Sequence, residues 1–254
     1  MIIMKRILFL AVACMAMLHA TAQSIIRKYA IEGTLDGNIA VRLAFEVNDQ
    51  NIAAGEVIYY KTKNAKPILL VGEPYQIDDS FYLREYLADG HNTGNWSLEL
   101  SNGQWKGSWY DPSSDKTRTL SNVRVISFPP SMGGKLIPES PDHIGKEYSY
   151  WFNHSGYGAP MGGHFSFSGA GKNRVSFTAA NVPSNIAEGK SEQGRPAVLQ
   201  GNHFTYLHMN ECDYGFEAYF FPQFMITRSV TNADTFYCFG AHTTLEGIYI
   251  KTKQ

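Results

Sequence analysis

A hydrophobic period of two, interrupted by tight-turn pairs and restarted many times, constrains this chain more than any other feature. Ile39, Val41, Leu43, Phe45 and Val47 alternate with Ala40, Arg42, Ala44 and Glu46. On a β-strand that spacing buries one face and wets the other, whereas on a helix it would scatter the apolar residues around the axis. The stretch before it, Tyr29 to Leu35, is joined to it through Asp36-Gly37, a pair that accepts the positive φ angles of a tight hairpin. Further strands are expected at Gly55 to Lys61, Pro67 to Gly72, Phe81 to Leu87 and Trp96 to Leu100. Asn102-Gly103 then turns the chain into Trp105 to Trp109, and Val123 to Phe128 reads as the last strand. About eight sequential antiparallel strands joined by short loops close into a barrel or curl into a strongly bent sheet.

Pro129, Pro130, Pro138 and Pro141, with Gly133-Gly134 between them, interrupt the pattern. Prolines cannot donate to a strand ladder, so residues 129–143 are expected to be a linker. The period then restarts with Tyr148, Tyr150 and Phe152, Phe165 and Phe167, and Val175 and Phe177. Asn181 to Pro196 reads as a polar loop. Strands resume at Val198-Leu199, Phe204 to Leu207, Phe216 to Phe221, Phe224 to Thr227 and Leu245 to Lys251. The expected fold is all-β, with two antiparallel meander domains at 23–128 and 144–254, each a barrel or strongly curved sheet. An aromatic content of 13% suits strands better than helices.

Residues 1–22 have the order of a secretory signal: Lys5 and Arg6, an apolar run from Ile7 to Leu18, then Ala20-Thr21-Ala22 before Gln23. The run is shorter than the ~20 residues a membrane span needs, and no other segment qualifies. An exported, periplasmic or secreted protein is expected. Lipid anchoring through Cys14, in Leu10-Ala11-Val12-Ala13-Cys14, is the alternative. Cys212 and Cys238 then remain, and in an exported chain they are expected to form one disulfide within the second domain. The formal net charge of −1, with 18% charged residues, gives no bulk attraction to nucleic acid. Lys61, Lys63 and Lys66 read as lysines that protect a sheet edge.

Gly55-Glu56-Val57-Ile58-Tyr59-Tyr60, Ile68-Leu69-Leu70-Val71-Gly72 and Leu83-Arg84-Glu85 resemble a pattern in uncharacterised exported β-rich proteins of Gram-negative anaerobes. The ending, Cys238-Phe239-Gly240-Ala241 to Gly247-Ile248-Tyr249, is similar to the tail of such proteins. The resemblance implies an envelope or secreted location and no particular activity. Strands such as Gly94-Asn95-Trp96 and Gly107-Ser108-Trp109 also resemble those of lipocalin-like and avidin-like barrels, an analogy of fold that transfers no ligand.

Catalytic signatures are sparse. There is no His-Glu-x-x-His, Gly-x-Ser-x-Gly or phosphate-binding Gly-Lys-Ser/Thr. His154 and His164 flank a glycine-rich loop and are the candidate metal ligands, with Glu188 or Asp213 as helpers, although no metal or cofactor is expected. Asp78, Asp79, Glu85, Glu188 and Glu192 are the carboxylates a hydrolase would need to bring face to face.

The surplus is aromatic. Alternation puts Phe216, Ala218 and Phe220 on one face of their strand and Tyr219 and Phe221 on the other. Together with Tyr150, Trp151 and Tyr157, the second face should meet a ligand, a partner protein or the other domain. The leading expectation is a non-catalytic exported binding protein for a small ligand or an envelope or extracellular protein. A secreted hydrolase using carboxylates or a histidine-metal site, and a structural component of an envelope assembly, are the alternatives.

Overall fold

The computed structural model describes residues 24–60, 65–75, 79–153, 161–169, 173–182, 190–209, 214–231 and 245–253. It contains two eight-stranded antiparallel sheets. The first comprises β1 (Ile25–Leu35), β2 (Ile39–Asn48), β3 (Ala53–Tyr59), β4 (Ile68–Pro74), β5 (Ser80–Tyr86), β6 (Asn92–Ser101), β7 (Gln104–Asp111) and β8 (Lys116–Val125). Each strand pairs with the next, and β8 returns to β1, so that the barrel closes. Asp36 and Gly37 both take positive φ (48° and 72°), as do Asn102 and Gly103 (52° and 75°), which matches the hairpin chemistry of those pairs.

The second sheet comprises β9 (Glu147–Phe152), β10 (Met161–Gly169), β11 (Arg174–Val182), β12 (Lys190–Val198), β13 (His203–Met209), β14 (Tyr214–Phe220), β15 (Phe224–Ser229) and β16 (Gly247–Lys253). Its order is β12-β11-β10-β9-β16-β15-β14-β13. The first and last strands, β9 and β16, pair with each other just as β1 and β8 do. This ring opens in mid-meander, between β12 and β13, where the Tyr206 hydroxyl accepts the Arg195 N–H at 2.8 Å.

Two strand assignments read from the sequence need correction. The last strand of the barrel lies at Lys116–Val125 rather than Val123 to Phe128. It carries a single fully buried apolar residue, Leu120, so it has almost no hydrophobic period to read. Residues 181–196 are not one loop, because β11 runs to Val182 and β12 begins at Lys190. With Gly194 and Pro196, β12 is polar and irregular, which is tolerated because it borders the open seam.

The barrel interior is filled. Odd-numbered residues of β2 and β5 and even-numbered residues of β6 meet there, with Leu43, Phe45, Phe81, Leu83, Trp96 and Leu98 all essentially inaccessible. Eight strands enclose a lumen about wide enough for side chains alone. Tyr29, Phe45, Phe81 and Trp105 pack edge-on and tilted at one end, with centroids 5.0–6.2 Å apart. The interior of the second sheet is a cluster of rings, among them Tyr148, Phe165, Phe177, Phe204, Phe216 and Phe220.

A third apolar cluster joins the two halves. Ile52, Ala54, Val71 and Tyr86 project from the outside of the barrel against Phe221, Phe224, Ile226, Ile248 and Ile250 of the second sheet, with Leu136 of the connecting segment. That segment is fastened to both sides. Gly134 N donates to Glu46 (2.8 Å) and Lys135 pairs with Glu56 (2.7 Å) on the barrel. Glu139 N donates to Phe220 O (3.0 Å), and Lys251 donates to the Glu139 carboxylate (3.0 Å) on the second sheet. Arg228 adds a clamp, donating to Glu73 (2.8 Å), Gln50 O (2.7 Å) and Asn51 O (3.1 Å). No helix among the described residues is long and apolar enough to cross a membrane.

Candidate functional site

Strand β5 feeds two different environments, because its side chains alternate across the barrel wall. Phe81, Leu83 and Glu85 point inward, while Tyr82, Arg84 and Tyr86 point outward toward the second sheet. Each set brings a charged group into largely apolar surroundings.

Inside the barrel, Glu85 is fully buried. Its carboxyl accepts hydrogen bonds from Trp96 Nε1 (2.7 Å), Thr93 Oγ1 (3.1 Å) and the Tyr59 hydroxyl. Burial raises its pKa above the ordinary carboxylate range, and the donors only partly oppose that shift. Burial and the adjacent carboxyl likewise push the Tyr59 hydroxyl up. Trp109 covers this end of the interior and crosses β6 at Gly94, where a Cβ would lie 2.0 Å from the indole Nε1. Glu85 is thus enclosed and its oxygens are occupied, the arrangement of a polar pin within a core.

Outside the barrel, β4 and β5 face β15 and β16 across a cleft of about 580 Å³. Its barrel wall includes Glu73, Tyr75, Tyr82 and Arg84, and its other wall includes Ile226, Arg228 and Ile248. Tyr75 and Tyr82 keep much of their surface open to solvent. Glu73 and Arg228 neutralise one another at 2.8 Å. Arg84 has no carboxylate partner among the described residues, and its guanidinium lies 5.5 Å from the Tyr82 ring centroid. Tyr86, next to it, is 2% exposed, and its hydroxyl meets no hydrogen-bond partner among the described residues. Arg84 lies near the hydroxyls of Tyr82, Tyr86 and Tyr150, whose oxygens offer dipoles rather than a counter-charge at neutral pH.

Tyr150, Trp151, Tyr219 and Phe221, singled out in the sequence, border this junction but do not form one surface. Phe221 is fully buried in the cluster between the halves, stacked on Phe224 at 4.7 Å. That is the interdomain packing which the sequence left open beside a ligand or partner surface. Tyr150 packs against Tyr249 at 5.1 Å in space that Gly163 leaves free, and burial pushes its hydroxyl up to about 12. Tyr219 is half-buried between the interdomain cluster and His203, on which it stacks at 5.3 Å. Its hydroxyl donates to Glu217 at 3.0 Å and is pushed up to about 12, first by burial and then by that carboxylate. The Trp151 ring lies parallel to the His91 ring at 3.8 Å, and the Trp151 backbone N–H donates to Gly90 O at 2.9 Å, tying β9 to the β5–β6 loop.

Cys14, Tyr157, His154, Cys212, Asp213, Cys238, Asp78 and Glu188, and the side chain of Glu192, lie outside the described residues. His164 Nε2 is 2.8 Å from Ser166 Oγ, and no three His, Cys, Asp or Glu side chains gather as metal ligands among the described residues. Asp79 pairs with Arg27 at 2.9 Å just before β5, while Glu85 lies at the other end of that strand, so these two carboxylates do not face one another. Arg84 and Tyr82 were not singled out by sequence reasoning. Their signal is that the outward residues of β5 read Tyr-Arg-Tyr, too aromatic for a wholly wet face.

Fold and site together define a tandem eight-stranded β protein with a ligand-sized cleft where its halves meet. Comparison with protein-family models found none that matches the chain, and comparisons with curated proteins and with solved structures found no match either.

Proposed function

We propose that this is an exported, non-catalytic binding protein that holds a small molecule in the cleft between its two β halves. The observation that carries the reading is the cleft itself. At about 580 Å³ it falls within the range of small-molecule sites, its walls come from both sheets, and two open tyrosines, Tyr75 and Tyr82, rim the barrel side. The packed barrel interior argues against the lumen as the place of binding. Export is supported by the leader sequence of residues 1–22, and an oxidised Cys212–Cys238 pair would accompany it.

One preparation tests the reading. Protein purified from its native envelope should show, by native mass spectrometry, a bound small molecule that denaturation releases. The polypeptide mass should correspond to a chain beginning at Gln23 and lacking two hydrogens. A Tyr75→Ala, Tyr82→Ala double variant should fold and retain much less of the bound species. Absence of any stoichiometric small molecule, or equal retention by the double variant, would refute cleft binding.

A further inference from the structure

We infer that the cleft recognises its ligand through an oxyanion, a carboxylate, sulfate or phosphate group seated on Arg84, with the ligand's ring-shaped body against Tyr82 and Ile226. The inference rests on the cleft being the binding site and adds the chemistry that the site selects. Arg84 is largely screened from water, faces the apolar side chains of β15 and β16, and has no acidic partner among the described residues. The other charges on the cleft walls are already engaged. Arg228 is taken up by Glu73 and two backbone carbonyls, and Glu246 also has a partner. A desolvated guanidinium with only phenol oxygens around it is costly until an anion arrives.

A second observation lies beside it: the Tyr86 hydroxyl is buried against the Arg84 guanidinium and makes no well-formed hydrogen bond among the described residues. A donor left unsatisfied in the core is costly, so such a group is retained where something else meets it. An oxyanion bound to the planar fork of Arg84 presents further lone pairs that a neighbouring phenol could use. Tyr82 lies under the same guanidinium, and its half-open ring offers the ligand a flat face.

The test compares charged probes with neutral ones of similar shape. Benzoate and phenyl phosphate are titrated beside benzamide and benzyl alcohol, followed by protein NMR, on the intact chain and on Arg84→Met and Arg84→Lys. The wild type should bind the anions at least about tenfold more tightly than the neutral compounds, one bidentate contact's worth of selectivity. Arg84→Met, which keeps the aliphatic stem, should abolish that preference without lowering Tm, while Arg84→Lys should retain part of it. If benzamide and benzoate bind alike, and Tyr82→Ala weakens both, the oxyanion inference fails while the cleft reading survives. If no probe perturbs the cleft at ~10 mM, both fail. A marked loss of Tm in Arg84→Met would show that the charge serves the apo fold, which also overturns the inference.

Discussion

Replacing the carboxyl inside the barrel separates its hydrogen-bonding role from its charge. Glu85 accepts from Trp96, Thr93 and Tyr59 in a region that excludes water. Glu85→Leu would strand these donors, at about 1–3 kcal/mol for each that cannot find another acceptor. Some relief comes from the added apolar volume, so a net loss of ~3 kcal/mol or more is expected. Glu85→Gln keeps one acceptor for Trp96 or Tyr59 and gives Thr93 a donor to accept, so it should change stability by no more than ~1 kcal/mol near pH 4. The two variants should also differ from the parent in pH dependence. Because burial raises the folded-state pKa of Glu85, the folded protein binds more protons than the unfolded chain above about pH 4.3. The parent's contribution from this group is therefore full below that pH and is lost as pH rises through the folded pKa. Each unit by which the pKa is raised costs about 1.4 kcal/mol of stability at high pH. Urea unfolding of parent and Glu85→Gln at intervals from pH 4 to 8, followed by tryptophan emission, isolates the effect, since other titrations cancel in the difference. The parent should lose ground to the glutamine variant as pH rises, then level off. A difference that stays flat, or a glutamine variant as damaged as the leucine one, would refute this account of the pin.

Phe221→Ala should lower unfolding free energy by about 3–5 kcal/mol, because it hollows the cluster shared by both halves, and urea titration showing a loss below ~1 kcal/mol would mean that the halves are not packed there. Gly94→Ala should destabilise by about 1–3 kcal/mol, since the new Cβ would meet Trp109 at 2.0 Å, and a double-mutant cycle with Trp109→Leu should recover much of that loss if the indole is the obstacle.

The parts of the fold that were legible in the sequence are those whose signals are local. Asp36-Gly37 and Asn102-Gly103 fixed two hairpins because their backbone requirement is met by few residue pairs. Alternation separated Phe216, Ala218 and Phe220, which line the second interior, from Tyr219 and Phe221, which face the other half. Strand β12 escaped because Gly194 and Pro196 look like loop chemistry unless it is known that the strand borders an opening. The cleft was hidden for a different reason. Arg84 and Ile226 come together only through the docking of two sheets, and no spacing along the chain encodes that encounter. Glu85 was noted merely as one carboxylate among several. Its burial depends on register across β3, β5 and β6, which brings Tyr59, Trp96 and Thr93 to the same end of the lumen.

The opening between β12 and β13 has a consequence for self-association. A closed barrel has no exposed ladder, so β1–β8 offers nothing onto which another copy could add a strand. The pairing of β9 with β16 removes a second hazard, leaving the edges of β12 and β13 as the open ones among the described residues. There the chain carries blunting features: Pro196 has no N–H to offer, Arg195 is exposed and charged, and its own N–H is already capped by the Tyr206 hydroxyl. Val198 and Leu207 nevertheless remain half open on the same two strands. Resistance to edge-to-edge polymerisation therefore rests on the seam between a nine-residue and a seven-residue strand, with a tyrosine as its stopper.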